Sequence, residues 1–266
     1  MKKLAFGIAA GALTLYVAGV GILYLIQERL IFYPQKLDKS HRFAHRGDFE
    51  ELSFPTTDGA QLNGLLFKAG NPKGLIFYLH GNSGSLASWG DIAHVYTDLQ
   101  YDLFMLDYRG FGKSEGVIGS EDQLHSDVQM VYDSLKTRYK EQDIIILGYS
   151  IGTGPAARLA SVNDAGMLIL QAPYYNMTGV MRELYPAVPT FILRYRLETN
   201  NYIKACKMPV VIFHGDRDEV IKYSASMQLK ELLKPADTLI ILKGQRHGGM
   251  SDNPEYRAAL SMILSR

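Results

Sequence analysis

The chain has 266 residues, of which 47% are hydrophobic and 21% charged, so it can bury the core of one large domain or two small ones. Its formal net charge is +1 and no long run of one sign occurs. This argues against nucleic-acid binding as the main function, because phosphate binding needs a basic patch. The single cysteine, Cys206, excludes an intramolecular disulfide and a cysteine-ligated metal site.

The first distinctive element is an apolar N-terminal segment. Residues 4–26 carry no charge, and their number matches the roughly 20 residues that cross a bilayer as a helix. A cleaved signal peptide is the alternative, but its apolar region is shorter, and here apolar sequence continues beyond the small residues Ala18 and Gly19. The segment is therefore predicted to be an uncleaved single-pass anchor over residues 1–27, followed by a juxtamembrane collar over residues 28–46.

The anchor raises the questions of its orientation and its association. Lys2 and Lys3 favour a cytoplasmic N-terminus, and basic residues after the helix weaken that asymmetry. Because long domains translocate largely regardless of charge, we expect the soluble domain outside the cytoplasm. Gly7 and Gly11 have the GxxxG spacing of packed membrane helices. This leaves open a homodimer through the anchor, although small residues are common in membrane helices of every kind.

Beyond residue 47, short apolar runs alternate with helical patterns. A turn signal at Asp58-Gly59 joins two strands near the start. Continuous apolar runs are typical of strands buried on both faces, and helical patterns such as 119–140 fill most intervals. The sequence predicts an α/β domain over residues 47–266, with a mostly parallel sheet and helices on both faces. The apolar runs are residues 74–80, 102–108, 143–149, 166–172, 209–215 and 238–244.

The interval 174–207 breaks this rhythm. It is longer than a simple crossover, is rich in aromatic residues and is interrupted by prolines. It is predicted to form a small cap over the carboxyl ends of the strands, where open α/β sheets place their sites. Its aromatic residues could line a pocket for an acyl chain or form the core of the cap itself. The candidates for the pocket are Tyr174 and Tyr185 and, outside the cap, Tyr149.

A G-x-S-x-G turn, Gly148-Tyr149-Ser150-Ile151-Gly152, follows a buried strand and precedes a helical pattern. Such a turn holds its serine in a strained conformation with Oγ exposed, and side chains at the glycine positions would collide with their surroundings. The helix that starts at Ile151 directs backbone N–H groups at a developing oxyanion. The sequence therefore predicts that Ser150 is a nucleophile and that the Ile151 N–H contributes to an oxyanion hole.

A serine nucleophile needs a base, and the base needs an acid that orients it. His247 follows the last strand-like run, and Asp216, Asp218 and Glu219 follow the run before it. The chain order of serine, acid and histidine is the one expected of an α/β-hydrolase. The residues by themselves leave the choice among the three acids open.

Three further motifs make the chain resemble the α/β-hydrolase superfamily from about residue 49 onward. "HGDRDEVI" is similar to the HGxxDxxV turn of the family, which implies that Asp218 is the acid. "LHGNSGS" is similar to the oxyanion turn, which implies a second oxyanion N–H at Asn82, and "DYRGFGKSEG" is similar to the D-x-R-G-x-G-x-S loop. The anchor, "FYPQ" in the collar and the HGN turn further resemble a single-pass, membrane-anchored subgroup that includes lipid- and acyl-protein-directed serine hydrolases.

These observations together predict a membrane-anchored serine hydrolase. We expect esters or thioesters as substrates, with lipid or acyl substrates favoured because the anchor confines the enzyme to a membrane, and we expect no metal or cofactor. Two alternatives stay open, a serine peptidase or amidase and a non-catalytic binding protein on the same fold. Of the other polar residues at strand ends, His80 and His214 are expected to make structural hydrogen bonds.

Overall fold

An N-terminal helix and an eight-stranded sheet are the main elements of the computed structural model, which describes residues 2–265. The strands are β1 (Tyr33–Pro34), β2 (Phe49–Pro55), β3 (Gln61–Phe67), β4 (Leu75–Leu79), β5 (Ser83–Gly84), β6 (Asp102–Asp107), β7 (Ile144–Tyr149), β8 (Met167–Gln171), β9 (Val210–Gly215) and β10 (Thr238–Leu242). The α-helices are α1 (Lys2–Leu25), α2 (Gln27–Ile31), α3 (Leu86–Trp89), α4 (His94–Thr97), α5 (Glu121–Leu135), α6 (Thr153–Ser161), α7 (Met177–Leu184), α8 (Thr199–Ala205), α9 (Ser224–Lys230) and α10 (Pro254–Leu264).

The main sheet has the strand order β10-β9-β8-β7-β4-β6-β3-β2. β3 runs antiparallel to both of its neighbours, and the other pairs of the sheet are parallel. The hairpin between β2 and β3 turns at Gly59, whose φ of +89° is available to glycine without strain, as the Asp58-Gly59 signal indicates. The predicted mostly parallel α/β sheet is confirmed.

Both faces of the sheet are covered by helices. Side chains of α5, α6, α8 and α9 pack on one face together with Phe77 and Ile146, whereas α3, α4 and α10 pack on the other together with Tyr78 and Leu147. Consecutive strand residues thus enter opposite cores, because successive side chains of a strand point to opposite faces. This explains why the strands read as continuous apolar runs.

Several elements are shorter than their sequence patterns. α5 was predicted over about 119–140 but begins at Glu121, because the side chain of Ser120 accepts the N–H of Gln123 and caps the helix. β4 ends at Leu79 instead of residue 80, where the chain turns into the Gly81-Asn82 loop. These ends lie at the carboxyl edge of the sheet and position the side chains described below.

The interval 174–207 divides into two parts with different surroundings. α7 and the 3-10 turn Thr190–Ile192 lie over the carboxyl edge of the sheet, as a cap does, and contribute to the cavity there. α8 instead packs against α6, and Cys206 at its end is buried in the same core. The cap is therefore smaller than the interval from which it was predicted, because the second half returns to the body of the domain.

α1 is long and apolar enough to cross a membrane, which allows an anchor or a signal sequence. Its 24 residues extend over about 36 Å at 1.5 Å per residue, somewhat more than the roughly 30 Å of a hydrocarbon core. None of its residues is buried by the rest of the chain. α2 follows almost directly and enters the domain at Gln27, which is buried.

Candidate active site

Ser150 lies in the tight turn between β7 and α6, and its φ of 53° falls in the left-handed region. That conformation costs a residue with a side chain roughly 1–2 kcal/mol. Glycines on both sides permit the turn, since a Cβ on Gly148 would overlap the Gly152 carbonyl oxygen and a Cβ on Gly152 would overlap that of Leu79. The turn therefore has the strained geometry expected of a nucleophile elbow.

The side chains of Ser150, His247 and Asp218 form one hydrogen-bonded line. His247 Nε2 lies 3.0 Å from Ser150 Oγ, and His247 Nδ1 lies 2.7 Å from Asp218 Oδ2. The three residues follow β7, β10 and β9, so all stand at the carboxyl edge of the sheet. The structure thus brings together a hydroxyl, an imidazole within reach of its proton, and a carboxylate that orients the imidazole.

Asp218 is buried and its carboxylate is fully hydrogen-bonded. Oδ1 accepts the N–H groups of Val220 and Ile221 at 2.9 and 2.8 Å, and His214 Nε2 lies 3.3 Å from Oδ2. Burial by itself raises the pKa of Asp218, but the hydrogen bonds from His214 and His247 lower it further than burial raises it, so the pKa stays below its usual range. Asp218 therefore remains ionised at neutral pH and can hold the Nδ1–H of His247.

The other two acids of this loop have different partners. Asp216 accepts the N–H of Gly244 at 2.6 Å, which joins the loops after β9 and β10. Glu219 lies at the surface and pairs with Arg246 at 2.8 Å. Of the three acids that the sequence left open, Asp218 is thus the one whose carboxylate meets the imidazole of His247.

Asn82 and Ile151 line the same cavity as Ser150. No acceptor among the described residues receives the backbone N–H of Asn82, while its side chain donates to the carbonyl of Ile31 at 3.0 Å. The cavity is therefore lined by the nucleophile candidate and by both residues whose backbone N–H groups we expect to form the oxyanion hole.

Buried polar groups fix the loop that carries Asn82. His80 is buried at the end of β4, with Nδ1 2.7 Å from the carbonyl of Gly81 and Nε2 3.5 Å from Asp107 Oδ1. Asp107 also accepts the N–H of Leu86, and burial raises the pKa of its carboxyl. These residues do not line the cavity, which agrees with the structural role expected for His80.

A cavity of about 210 Å³ opens beside Ser150, and its walls come from three parts of the chain. Met177, Val180 and Met181 of α7 form one wall. Leu23 and Leu30, from the end of the apolar helix and from α2, contribute to another. Within the described residues, none of those lining the cavity is charged. The shape and chemistry suit an apolar group attached to the atom that Ser150 would attack.

Two of the three tyrosines predicted for the pocket line this cavity. Tyr174 does so while its hydroxyl donates to the carbonyl of Ile151 at 3.0 Å, and Tyr185 lines the cavity as well. Tyr149 lies elsewhere, because it shares the sheet face of Leu147, which points away from the cavity. Its hydroxyl donates to the carbonyl of His247 at 2.8 Å and its ring packs on the imidazole, so it supports His247.

Two contributions to the site were missed from the sequence. His214 makes structural contacts with Ser226 and Ile221, as expected. Its closeness to Asp218 was not predicted, although its position at the start of the "HGDRD" turn is a usable signal. The role of Leu23, Leu30 and Ile31 as cavity walls carried no local signal, because it arises from packing against α7 far along the chain.

Comparison with known proteins supports the fold and the hydrolase class. Residues 70–202, half of the chain, match the model of the family described as serine aminopeptidase, S33. The chain is 29% identical to alpha/beta hydrolase domain-containing protein 17B of Homo sapiens over 202 residues, which cover 74% of this chain and 68% of the relative. It is 30% identical to protein 17C of the same series from Xenopus tropicalis over 196 residues, covering 71% of this chain and 61% of the relative.

Solved structures share the fold at lower identity. The esterase Pf2001 of Pyrococcus furiosus aligns with a TM-score of 0.70 at 19% identity, covering 89% of this chain and 98% of that one. Est1E of Butyrivibrio proteoclasticus, solved with ferulic acid bound, aligns with a TM-score of 0.62 at 19% identity, covering 80% and 96%. Both alignments extend over most of the chain, which shows that the fold is shared over that length.

The strain at Ser150 can be measured with two substitutions. Ser150→Gly should have a free energy of unfolding about 1 kcal/mol higher than Ser150→Ala, because glycine adopts a positive φ without the clash of a Cβ. Urea denaturation of the full-length protein in mild detergent measures the difference. Ala258→Gly, at an exposed position of α10, is the control and should lower stability by about 1 kcal/mol. Equal stability of the two Ser150 variants would contradict a strained elbow.

Proposed function

The chain belongs to the α/β-hydrolase superfamily and is a hydrolase, and we propose that it cleaves carboxylic esters or thioesters with Ser150 as the nucleophile. The observation that carries the proposal is the hydrogen-bonded line from Ser150 through His247 to Asp218, at the edge of an uncharged cavity. A serine in this arrangement is activated by the neighbouring base, as nucleophilic catalysis requires.

In the proposed mechanism, Ser150 Oγ attacks the substrate carbonyl carbon while His247 Nε2 takes the hydroxyl proton. Asp218 orients the imidazole and stabilises its charged form. The backbone N–H groups of Ile151 and Asn82 bind the oxyanion of the tetrahedral intermediate. His247 then protonates the leaving alkoxide or thiolate, which departs and leaves an acyl group on Ser150. A water molecule deprotonated by His247 attacks that acyl group and regenerates the free serine.

The cavity supports an acyl substrate. Its lining is aliphatic and aromatic apart from a few uncharged polar groups, so a hydrocarbon chain bound there gains roughly 0.8 kcal/mol for each methylene removed from water. Neighbours described as esterases, and relatives of the alpha/beta hydrolase domain-containing series, are consistent with this class. We infer that the acyl part of the substrate occupies the space between α2 and α7.

A serine peptidase is the second candidate, because the matching family is described as a serine aminopeptidase. An aminopeptidase has to bind the ammonium group of its substrate, and a buried ammonium needs a carboxylate partner. Among the described residues that line the cavity there is no acidic side chain, and Asp218 is already engaged by His247. This observation favours an ester or thioester over a free peptide N-terminus.

We further propose that α1 is an uncleaved membrane anchor. Its second half is attached to the hydrolase domain, since Tyr16 donates to the carbonyl of Ala187 and Leu23 lines the cavity. Removal of a signal peptide before Gly19 would eliminate the first of these contacts. A domain outside the cytoplasm and a homodimer through Gly7 and Gly11 stay predictions from the sequence.

A fluorophosphonate probe tests whether Ser150 is an activated nucleophile. Intact mass should reveal one covalent adduct on the full-length protein in detergent and none on Ser150→Ala, because only a serine next to a base reacts at a useful rate. Ser134→Ala, an exposed serine on α5, should label like the unsubstituted protein. Absence of the adduct on the unsubstituted protein would instead favour a binding protein on the same fold.

The choice of acid is tested by Asp218→Asn and Asp216→Asn. Asp218→Asn should lower kcat for a short soluble ester by roughly 10⁴-fold with little change in KM, because the imidazole loses its orientation and tautomer. Asp216→Asn is the matched control two residues away and should retain activity, since Asp216 contacts only the neighbouring loop. A larger loss in Asp216→Asn than in Asp218→Asn would overturn the assignment.

Substrate class is tested with a series of nitrophenyl esters of increasing acyl length and with aminoacyl nitroanilides. Each added methylene should raise kcat/KM by up to about fourfold until the cavity is filled, which corresponds to about 0.8 kcal/mol per buried methylene. The aminoacyl nitroanilides should be poor substrates. Faster cleavage of the nitroanilides than of every ester would establish the peptidase alternative.

A further inference from the structure

The cap touches the apolar helix at a point far from the end of that helix. The hydroxyl of Tyr16 donates to the carbonyl of Ala187, in the loop after α7, at 2.9 Å. Leu25, where α1 ends, lies about 14 Å further along the helix axis at 1.5 Å per residue. In an anchor that spans the bilayer, Tyr16 lies within the hydrocarbon region, which is about 30 Å thick. If α1 spans the membrane in this way, the contact with Tyr16 puts the loop that holds Ala187 below the membrane surface.

The amino-acid composition of this loop is compatible with the hydrocarbon region of a membrane. Residues 184–193, "LYPAVPTFIL", contain no charge. Leu184, Tyr185 and Phe191 are 61%, 48% and 80% exposed, so large apolar side chains project from the domain at the same place. Apolar surface of this kind marks an interaction site, because apolar area left in water is unfavourable.

The backbone of the loop is also suited to a medium without water, where unpaired polar groups are costly. Pro186 and Pro189 have no N–H to satisfy. The N–H of Val188 donates to the carbonyl of Tyr185 at 2.9 Å, and the carbonyl of Ala187 accepts from Tyr16. Several backbone polar groups of this irregular loop are therefore either absent, as at the two prolines, or hydrogen-bonded.

Hydrogen bonds join α2 to the cap directly after the end of the apolar helix. Gln27 is 6% exposed, and its side chain donates to the carbonyl of Ile192 and accepts the N–H of Arg194, both at 2.8 Å. Arg194 also pairs with Glu28 at 2.8 Å. α2 and the cap therefore form one unit, and the charged groups of this unit lie where the apolar segment ends.

The cavity beside Ser150 lies between α2 and the cap. Its lining extends from Ser150 to Leu23 on the anchor side and to Leu184 and Val188 on the cap side. In a membrane that α1 spans, the contact of Tyr16 with Ala187 would put both of these outer walls below the membrane surface. The outer end of the cavity would then face the hydrocarbon.

We propose that the cavity opens laterally into the bilayer between α1 and the loop 184–193, and that a fatty acyl chain of a membrane-resident substrate enters it directly from the hydrocarbon. The proposal rests on the proposed esterase or thioesterase function. The anchor is then a wall of the substrate site as well as an attachment, and the scissile carbonyl reaches Ser150 near the level of Gln27. Acyl chains of lipids and of acylated proteins have the same chemistry at this opening.

Fluorescence quenching tests the position of the loop. Cys206 is buried, and burial raises the pKa of its thiol to about 12, so a cysteine introduced at the surface can be labelled selectively. Phe191→Cys and the control Val162→Cys, exposed at the end of α6, would carry a bimane label in full-length protein in nanodiscs. We expect nitroxide-bearing lipids to quench the label at 191 and aqueous iodide to quench the label at 162. Iodide quenching of both labels to the same extent would overturn the proposal.

Activity on vesicles tests whether the loop admits substrate. Phe191→Asp should lower hydrolysis of a long-chain ester embedded in vesicles by about tenfold or more, because a carboxylate is unfavourable in hydrocarbon. It should change hydrolysis of a short soluble ester in detergent by less than about twofold, because Phe191 is exposed and does not line the cavity, and a substitution at such a surface position should disturb folding little. Val162→Asp should leave both activities intact. Unchanged vesicle activity in Phe191→Asp would contradict lateral entry.

Two further experiments distinguish failure of the lateral opening from failure of the proposed function. The first compares vesicles that contain a phospholipid ester with vesicles that contain an S-acylated transmembrane peptide, and it identifies which source of acyl chain the protein uses. Phe191→Asp should lower hydrolysis of every source that the unsubstituted protein cleaves. Ser150→Ala reports on the proposed function itself. If Ser150→Ala still hydrolyses the short ester, the assignment of Ser150 as the nucleophile is wrong, whatever the quenching experiment shows. If Ser150→Ala is inactive but iodide quenches the label at position 191, only the lateral opening is overturned.

Discussion

A side chain at Gly152 would overlap the carbonyl oxygen of Leu79, and one at Gly148 would overlap the backbone of the turn itself. The closeness of β4, β7 and α6 at this point is the constraint on which the candidate site depends. It forces the chain to reverse within a few residues and holds Ser150 at a positive φ, with its hydroxyl toward His247. The same approach brings the Asn82 loop, which follows β4, next to the start of α6.

The remaining parts of the site are arranged around this turn. The parallel order of β7, β8, β9 and β10 delivers Asp218 and His247 to the same sheet edge as Ser150. Burial of Asp218 makes its carboxylate costly to leave unpaired, and two backbone N–H groups and two histidines satisfy it. The wall of the cavity then comes from outside the sheet, from α2 and α7, and Gln27 of α2 bonds to the 3-10 turn that follows α7 in the cap. The proposed acyl pocket is therefore formed largely by elements outside the sheet.

Much of the fold and of the candidate site could be predicted from the sequence because the relevant signals are local. Continuous apolar runs specify buried strands, and a G-x-S-x-G turn between a strand and a helix specifies the conformation of Ser150 whatever surrounds it. Chain order and resemblance then limited the acid to Asp218. Tyr149 was assigned to the pocket because aromatic residues suit an acyl chain, but strand pleating directs it to the opposite face, beside His247. The contact of Gln27 with Ile192 joins residues 165 positions apart, and no local pattern contains that information.

The most direct test of the account is a structure of the full-length protein in a nanodisc after reaction with a long-chain alkyl fluorophosphonate. We expect phosphorus bonded to Ser150 Oγ, with its oxygen near the N–H groups of Asn82 and Ile151. The alkyl chain should continue between α2 and α7 and leave the protein beside Leu23, in the hydrocarbon. Phosphorus on another residue would contradict the proposed nucleophile, and an alkyl chain directed into solvent away from α1 would contradict the lateral opening.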